Sequence, residues 1–172
     1  MIFVTVGTHY LGFDRLIKKM DEIAGKMDEE VIAQIGSTKY IPKNMVYFKF
    51  AKDENEILEL CEKARIIVSH GGAGSILTIL NYMKPALIVP RFKKFNEHID
   101  DHQLELAEVY KKERKLIVIY DVENIETALK EVVNLDFKKN KKEKKLINFL
   151  KNLIEKMENE NLHDIIGSIS SK

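Results

Sequence analysis

Apolar residues recur along this chain in two alternating rhythms. Short, β-branched runs stand at Ile2–Val6, Glu30–Ile35, Val46–Phe48, Ala64–Val68, Ala86–Val89 and Lys115–Tyr120, the pattern of strands buried on both faces. Between them, apolar side chains return at helical spacing. Phe13, Leu16, Ile17, Met20, Ile23 and Ala24 mark one helix. Asp53 and Glu56 form a capping signature ahead of a second, with Ile57, Leu58 and Cys61 on its inner face. A third runs from about Gly74 to Met83 and stops at Lys84-Pro85. Two more are expected from about Asp100 to Lys112 and from Val122 to Val133. Strand and helix alternate, with no evident hairpin signals between the later strands. This predicts an α/β fold: a single Rossmann-like domain over residues 1–137, with a mostly parallel sheet wrapped by helices.

The tail, residues 138–172, breaks the rhythm. Lys138–Lys145 holds six lysines against one glutamate and leads into Leu146, Ile147, Phe149, Leu150, Leu153, Ile154 and Met157. That stripe predicts a basic, amphipathic final helix. It either docks on the sheet or meets a partner or an anionic membrane surface.

With 172 residues, the chain is long enough for one domain with a sizeable core. A net charge of +1 gives no global electrostatic case for nucleic acid. The single Cys61 has no partner for a disulfide within the chain and reads as a buried thiol. Met1–Val6 is too short for a signal peptide and lacks its basic flank. No apolar run approaches the roughly 18 residues that span a bilayer, so an intracellular protein is expected.

Candidate chemistry gathers where strands end. Ser69-His70-Gly71-Gly72-Ala73-Gly74-Ser75 joins a strand to a helix. Such a turn presents unpaired N–H groups at a helix N-terminus, where an anion is stabilised, and glycines let a phosphate approach the backbone. The same residues also suit a tight turn that binds nothing. Two further loops should reach the same sheet edge. One offers Gly7, Thr8 and His9; the other runs from 91 to 103 and includes His98, Asp100, Asp101, His102 and Gln103. His98 and His102 hint at a metal, yet the glutamate of a zinc-protease helix is missing. Amides and carboxylates there suit sugar hydroxyls better, and no metal is expected. Ser75 lacks a nucleophile-elbow context, and Gly-x-Gly-x-x-Gly is absent after the first strand, which counts against a nicotinamide-dependent reductase.

These motifs occur in an order that resembles a known family. Val4–Thr8 followed by Phe13–Leu16, Gln34–Gly36, Ser69–Ser75 and Glu97–Ala107 is similar to the glycosyltransferase family 28 C-terminal domain. Its stand-alone Alg13- and PssE-type donor-binding subunits give the nearest likeness, over about residues 1–135. The resemblance implies the C-terminal, donor half of a GT-B enzyme. That half would act in an inverting, metal-independent hexosyltransferase without a cofactor. A UDP-sugar, N-acetylglucosamine or another hexose, would be the donor, and a polyprenyl-diphosphate-linked sugar the acceptor in glycan or polysaccharide synthesis. A membrane-associated acceptor-binding subunit of the Alg14/PssD type would complete it at the cytoplasmic face.

Carried over by position, Gly7, Thr8, His70, Gly71, Gly72, Gly74 and Ser75 would hold the diphosphate. Asp101, His102 and Gln103 would lie near the donor sugar, and the uracil near Phe50-Ala51. The catalytic base would be His9 or belong to the other half. One position departs from the pattern: Thr78 stands where a ribose-binding glutamate is common. A non-catalytic module that binds nucleotide sugars is the alternative.

Overall fold

The structure, a computed structural model, describes residues 1–111 and 116–133, and beyond them helical positions 148, 150–152 and 155. The expected basic run at 138–145 and most of the apolar stripe after it lie outside the described residues. Met1–Lys138 forms one compact unit.

Its centre is a six-stranded sheet ordered β3-β2-β1-β4-β5-β6. The strands are β1 (Ile2–Thr5), β2 (Val31–Gln34), β3 (Val46–Phe48), β4 (Ile66–His70), β5 (Ala86–Val89) and β6 (Leu116–Val118). Every pairing is parallel. Parallel strands need cover on both faces, and the sequence supplies side chains for it: β1 and β5 are buried along their whole length. The edge strand β3 leaves Val46 and Tyr47 exposed.

Among the described residues of this unit, five helices flank the sheet: α1 (Asp14–Ala24), α2 (Glu54–Lys63), α3 (Ala73–Asn81), α4 (His102–Tyr110) and α5 (Ile125–Val132). α1 turns Leu16, Ile17, Met20 and Ile23 inward, where they join Ile2, Val4, Val68 and Val89 in one core. Truncating one of these, Leu16→Ala for example, would cost about 2–5 kcal/mol through lost burial and a residual cavity. α2 starts as expected, with the Asp53 carboxylate accepting from Glu56 N–H at 3.1 Å. Glu56 reaches back to the N–H of Lys52 at 2.8 Å. Cys61 is buried, and burial pushes its thiol up to about 11.

Two boundaries shift for local reasons. The run at Ala64–Val68 predicts a strand, but Ala64 closes α2 by donating to Leu60 O, so β4 begins at Ile66 and carries His70 as its last residue. The helix expected from Asp100 begins at His102, because residues 98–101 are held in a turn by their own side chains.

The strand order is what positions the site. β1 lies between β2 and β4, so the connections that leave β1 and β4 depart toward opposite halves of the sheet. The carboxyl ends of the strands at that switch point are where α/β folds bind their ligands.

Candidate functional site

The candidate site is built on a register. Thr5 of β1 pairs with Ser69 of β4, so Gly7 and His70 emerge side by side. Gly7 takes a positive φ of +70°. A β-carbon there would stand 2.6 Å from His70 Nε2, and one on Gly72 would stand 2.4 Å from His70 Cε1. The two glycines therefore make the slot that the imidazole fills. Gly72 N–H donates to His70 Nδ1 at 3.1 Å, and Nε2 lies 3.0 Å from Ser75 Oγ. An Nδ1 that accepts is unprotonated, so Nε2 carries the hydrogen and donates it to Ser75. Burial, helped by the charge of Arg91, pushes His70 down to about 3, and the ring stays neutral.

Sequence reading expects His70 to donate to a phosphate. Here both ring nitrogens are engaged within the turn, and the hydroxyl hydrogen of Ser75 is what remains to point outward. Ser75 sits in the first turn of α3, where the backbone N–H groups lack intrahelical partners. Gly74 has nothing within 4 Å of where its β-carbon would be, so open space stands over this turn. Thr78 Oγ1 donates to Gly74 O at 3.2 Å and keeps only acceptor capacity for a ligand. Thr8 is exposed on the opposite loop.

Gln103 also braces the fold. It is buried, and its Oε1 accepts from Gly71 N–H at 3.2 Å and Arg91 N–H at 3.1 Å. It therefore clasps the glycine turn to the end of β5. Asp101 accepts from Lys93 N–H at 2.9 Å and so closes the 93–101 loop on itself. His102 is half-exposed, with Nδ1 2.5 Å from Asp100 Oδ1.

His9 lies on the same rim, stacked between Tyr10 at 4.7 Å and His98 at 4.6 Å. Its Nδ1 accepts from Leu11 N–H at 3.2 Å, so Nε2 carries the proton. Burial, with His98 and Arg91 nearby, holds it below the ordinary imidazole value. To take a proton at Nδ1, His9 must release Leu11.

The residue that organises these loops is one that sequence reading passes over. Arg91 is 1% exposed, and its Nη1 donates to the carbonyls of Leu11, Gly12 and Glu97, its Nη2 to that of Val6. Burial lowers it to about 10, which leaves it charged at neutral pH. Its Nε alone has no partner among the described residues. Beside it, Arg15 grips Glu97 with two bonds of 3.0 Å and also donates to the carbonyls of Pro90 and Tyr120. The one signal available was position: both arginines occur where a strand has just ended or a helix just begun.

A groove of about 820 Å³, lined by Arg15, Phe92, Phe95, Leu104 and Tyr120 among others, includes none of the expected ligand residues. The glycine turn is an open shelf that lies outside that groove. An α/β shelf with a helix N-terminus, a hydroxyl and a glycine-bared backbone is suited to a diphosphate.

The chain belongs to the glycosyltransferase family 28 C-terminal domain family, whose model matches residues 1–157. It is 34% identical over 125 residues to the human UDP-N-acetylglucosamine transferase subunit ALG13, covering 67% of this chain and 10% of that protein. A Prochlorococcus marinus UDP-N-acetylglucosamine–N-acetylmuramyl-(pentapeptide) pyrophosphoryl-undecaprenol N-acetylglucosamine transferase is 26% identical, over 88% of this chain and 40% of its own. Among solved structures, the glycotransferase of kitacinnamycin shares the fold with a TM-score of 0.59 at 18% identity, over 88% of this chain and 38% of that one. The chain thus spans less than half the length of each of these proteins.

Proposed function

We propose that this chain is the donor-binding part of a UDP-sugar-dependent hexosyltransferase, and that N-acetylglucosamine is the sugar. The observation that carries the reading is the His70-centred turn at the switch point, in a chain of this family. The α3 N-terminus, the Ser75 hydroxyl and the Gly7–Thr8 loop would receive the diphosphate. Backbone dipoles and hydroxyls that are already oriented stabilise charge on a departing diphosphate without a metal, which suits an inverting, metal-independent transfer. The sugar would extend toward Asp101, His102 and the edge of Gln103.

The acceptor half is assigned to a partner. The described shelf is open on one side, and the relatives that it matches are longer or are named as subunits. We assign that half to a membrane-associated subunit of the Alg14/PssD type that presents a polyprenyl-diphosphate-linked sugar at the cytoplasmic membrane face. Among the described residues no helix is long and apolar enough to cross a membrane; in this reading the partner supplies the membrane association. The base would then come from the partner, or be His9 once Leu11 N–H is released.

Calorimetric titration with UDP, UDP-N-acetylglucosamine, GDP-sugars and NADH tests the donor assignment; selective binding of the UDP compounds is expected. Elongation of a lipid-linked sugar at full rate by the purified chain alone would sink the two-part reading.

A further inference from the structure

The turn ahead of α4 brings three metal-ligating side chains together at alternate positions. His98, Asp100 and His102 each offer one atom, and these atoms all lie within 4.8 Å of one another. Both imidazoles close on a single oxygen: His98 Nδ1 lies 3.0 Å from Asp100 Oδ1, and His102 Nδ1 lies 2.5 Å from it. Asp100 N–H points at His98 Nδ1 from 3.4 Å, so that nitrogen presents its lone pair. It presents it toward a carboxylate oxygen. A ring proton or a bound cation would join the two at that separation.

The ligand chemistry narrows the cation. Two imidazole nitrogens and one carboxylate oxygen are a donor set for Zn²⁺, Co²⁺ or Cu²⁺ and a poor one for Mg²⁺ or Ca²⁺, which prefer oxygen alone. Tetrahedral zinc, with bonds of about 2.0–2.2 Å, sets neighbouring ligand atoms roughly 3.3 Å apart. His98 and Asp100 already stand near that spacing. The widest spacing among the three ligand atoms, up to 4.8 Å, has to close by about 1.5 Å, and half-exposed His102 at the start of α4 would supply that movement. The His98 and His102 rings meet at 78°, which lets two nitrogens approach one point from different sides. Stacking on His9 fixes the His98 ring, and Lys93 N–H holds the adjacent Asp101, so the loop is braced before any ion arrives. Asp100 is 52% exposed, which leaves the fourth position open to water or to a ligand oxygen.

We propose that His98, Asp100 and His102 form a binding site for a transition-metal dication of the Zn²⁺ class, and that its occupancy competes with the donor sugar. The cation site stands on its own geometry; the competition rests on the donor reading above, because it uses the placement of His102 and Gln103 at the sugar end. The metal would be a brake on this enzyme rather than a participant in transfer.

Zn²⁺ titration of the full chain in chelator-treated buffer tests the site, with Co²⁺ absorption as a readout of geometry. One equivalent should bind, Co²⁺ should give the intense visible band of a tetrahedral site, and Mg²⁺ should not displace it. Asp100→Asn and His98→Asn should each weaken Zn²⁺ at least tenfold, with circular dichroism unchanged; Asp100, being exposed, keeps the test valid if the His98 variant misfolds. No Zn²⁺ uptake, or equal uptake by both variants, overturns the site. Saturating Zn²⁺ should weaken UDP-N-acetylglucosamine about tenfold and leave UDP unaffected; equal sugar-nucleotide affinity with and without Zn²⁺ overturns the competition. If no UDP compound binds under any condition, the donor reading fails, and the Zn²⁺ titration still decides the site.

Discussion

Gly7 and His70 are fitted to one another: the imidazole occupies the volume that a β-carbon on Gly7 would need, 2.6 Å from Nε2. The pair joins the loop after β1 to the turn after β4. Because Nε2 then donates to Ser75, a glycine on one loop sets the direction of a hydroxyl on the other.

Gly7 and Gly74 should therefore respond in opposite ways to alanine. At Gly7 the positive φ and the clash with His70 should cost on the order of 1–3 kcal/mol of stability. At Gly74, which is helical and has open space around it, alanine should be neutral or add up to about 1 kcal/mol. The same methyl group would stand on the anion shelf and weaken UDP binding. Denaturant unfolding and calorimetry on both variants check this; equal stability losses would contradict it.

Ser75→Ala should leave the unliganded protein folded and remove one hydrogen bond to a charged group, about 1.5–3 kcal/mol of UDP affinity. UDP binding to the wild type should persist in EDTA. Affinity that collapses on chelation and returns with Mg²⁺ would contradict metal-free donor binding.

Acid should destabilise the fold through His70. Its imidazole titrates near 3 in the folded chain, against about 6.5 when unfolded. Between those values the unfolded chain binds the extra proton, so stability rises with pH and is lost as pH falls below about 6.5. The denaturation midpoint at pH 5 should lie below that at pH 7, and His70→Gln should flatten that dependence. An unaltered slope in the variant would place the titrating group elsewhere.

Arg91→Leu should be the most damaging single change near the site. It strands four carbonyls, of which those of Val6 and Glu97 are in buried bonds and would cost about 1–3 kcal/mol each when left unpaired, and it loosens both loops that it ties. Its melting temperature should fall well beyond that of Ser75→Ala. A near wild-type melting temperature would mean that water replaces the guanidinium.

Much of this protein was legible in its sequence because the physics is local. Two apolar periods distinguish strands from helices, and a buried β-branched run such as Ile66–Val68 can hardly be anything but a central strand. Asp53 with Glu56, and Lys84-Pro85, mark helix ends through backbone rules that need no tertiary context. The glycine turn was legible for the same reason, since strand, glycines and helix in that order already define a tight turn with unpaired N–H groups at a helix N-terminus.

What only the tertiary structure decided is the occupation of each polar atom. His70, Gln103 and Arg91 are similar kinds of residue on the page, a polar side chain beside a strand or helix end. In the fold, His70 spends both nitrogens inside its own turn, Gln103 joins the glycine turn to Arg91 N–H, and Arg91 holds carbonyls more than seventy residues away in sequence. The convergence of His98 and His102 on Asp100 likewise appears only when the turn before α4 is closed. Hydrogen-bond partners that lie far apart in sequence leave no period and no motif, so their pairing becomes visible only once the β1–β4 register has placed the loops side by side.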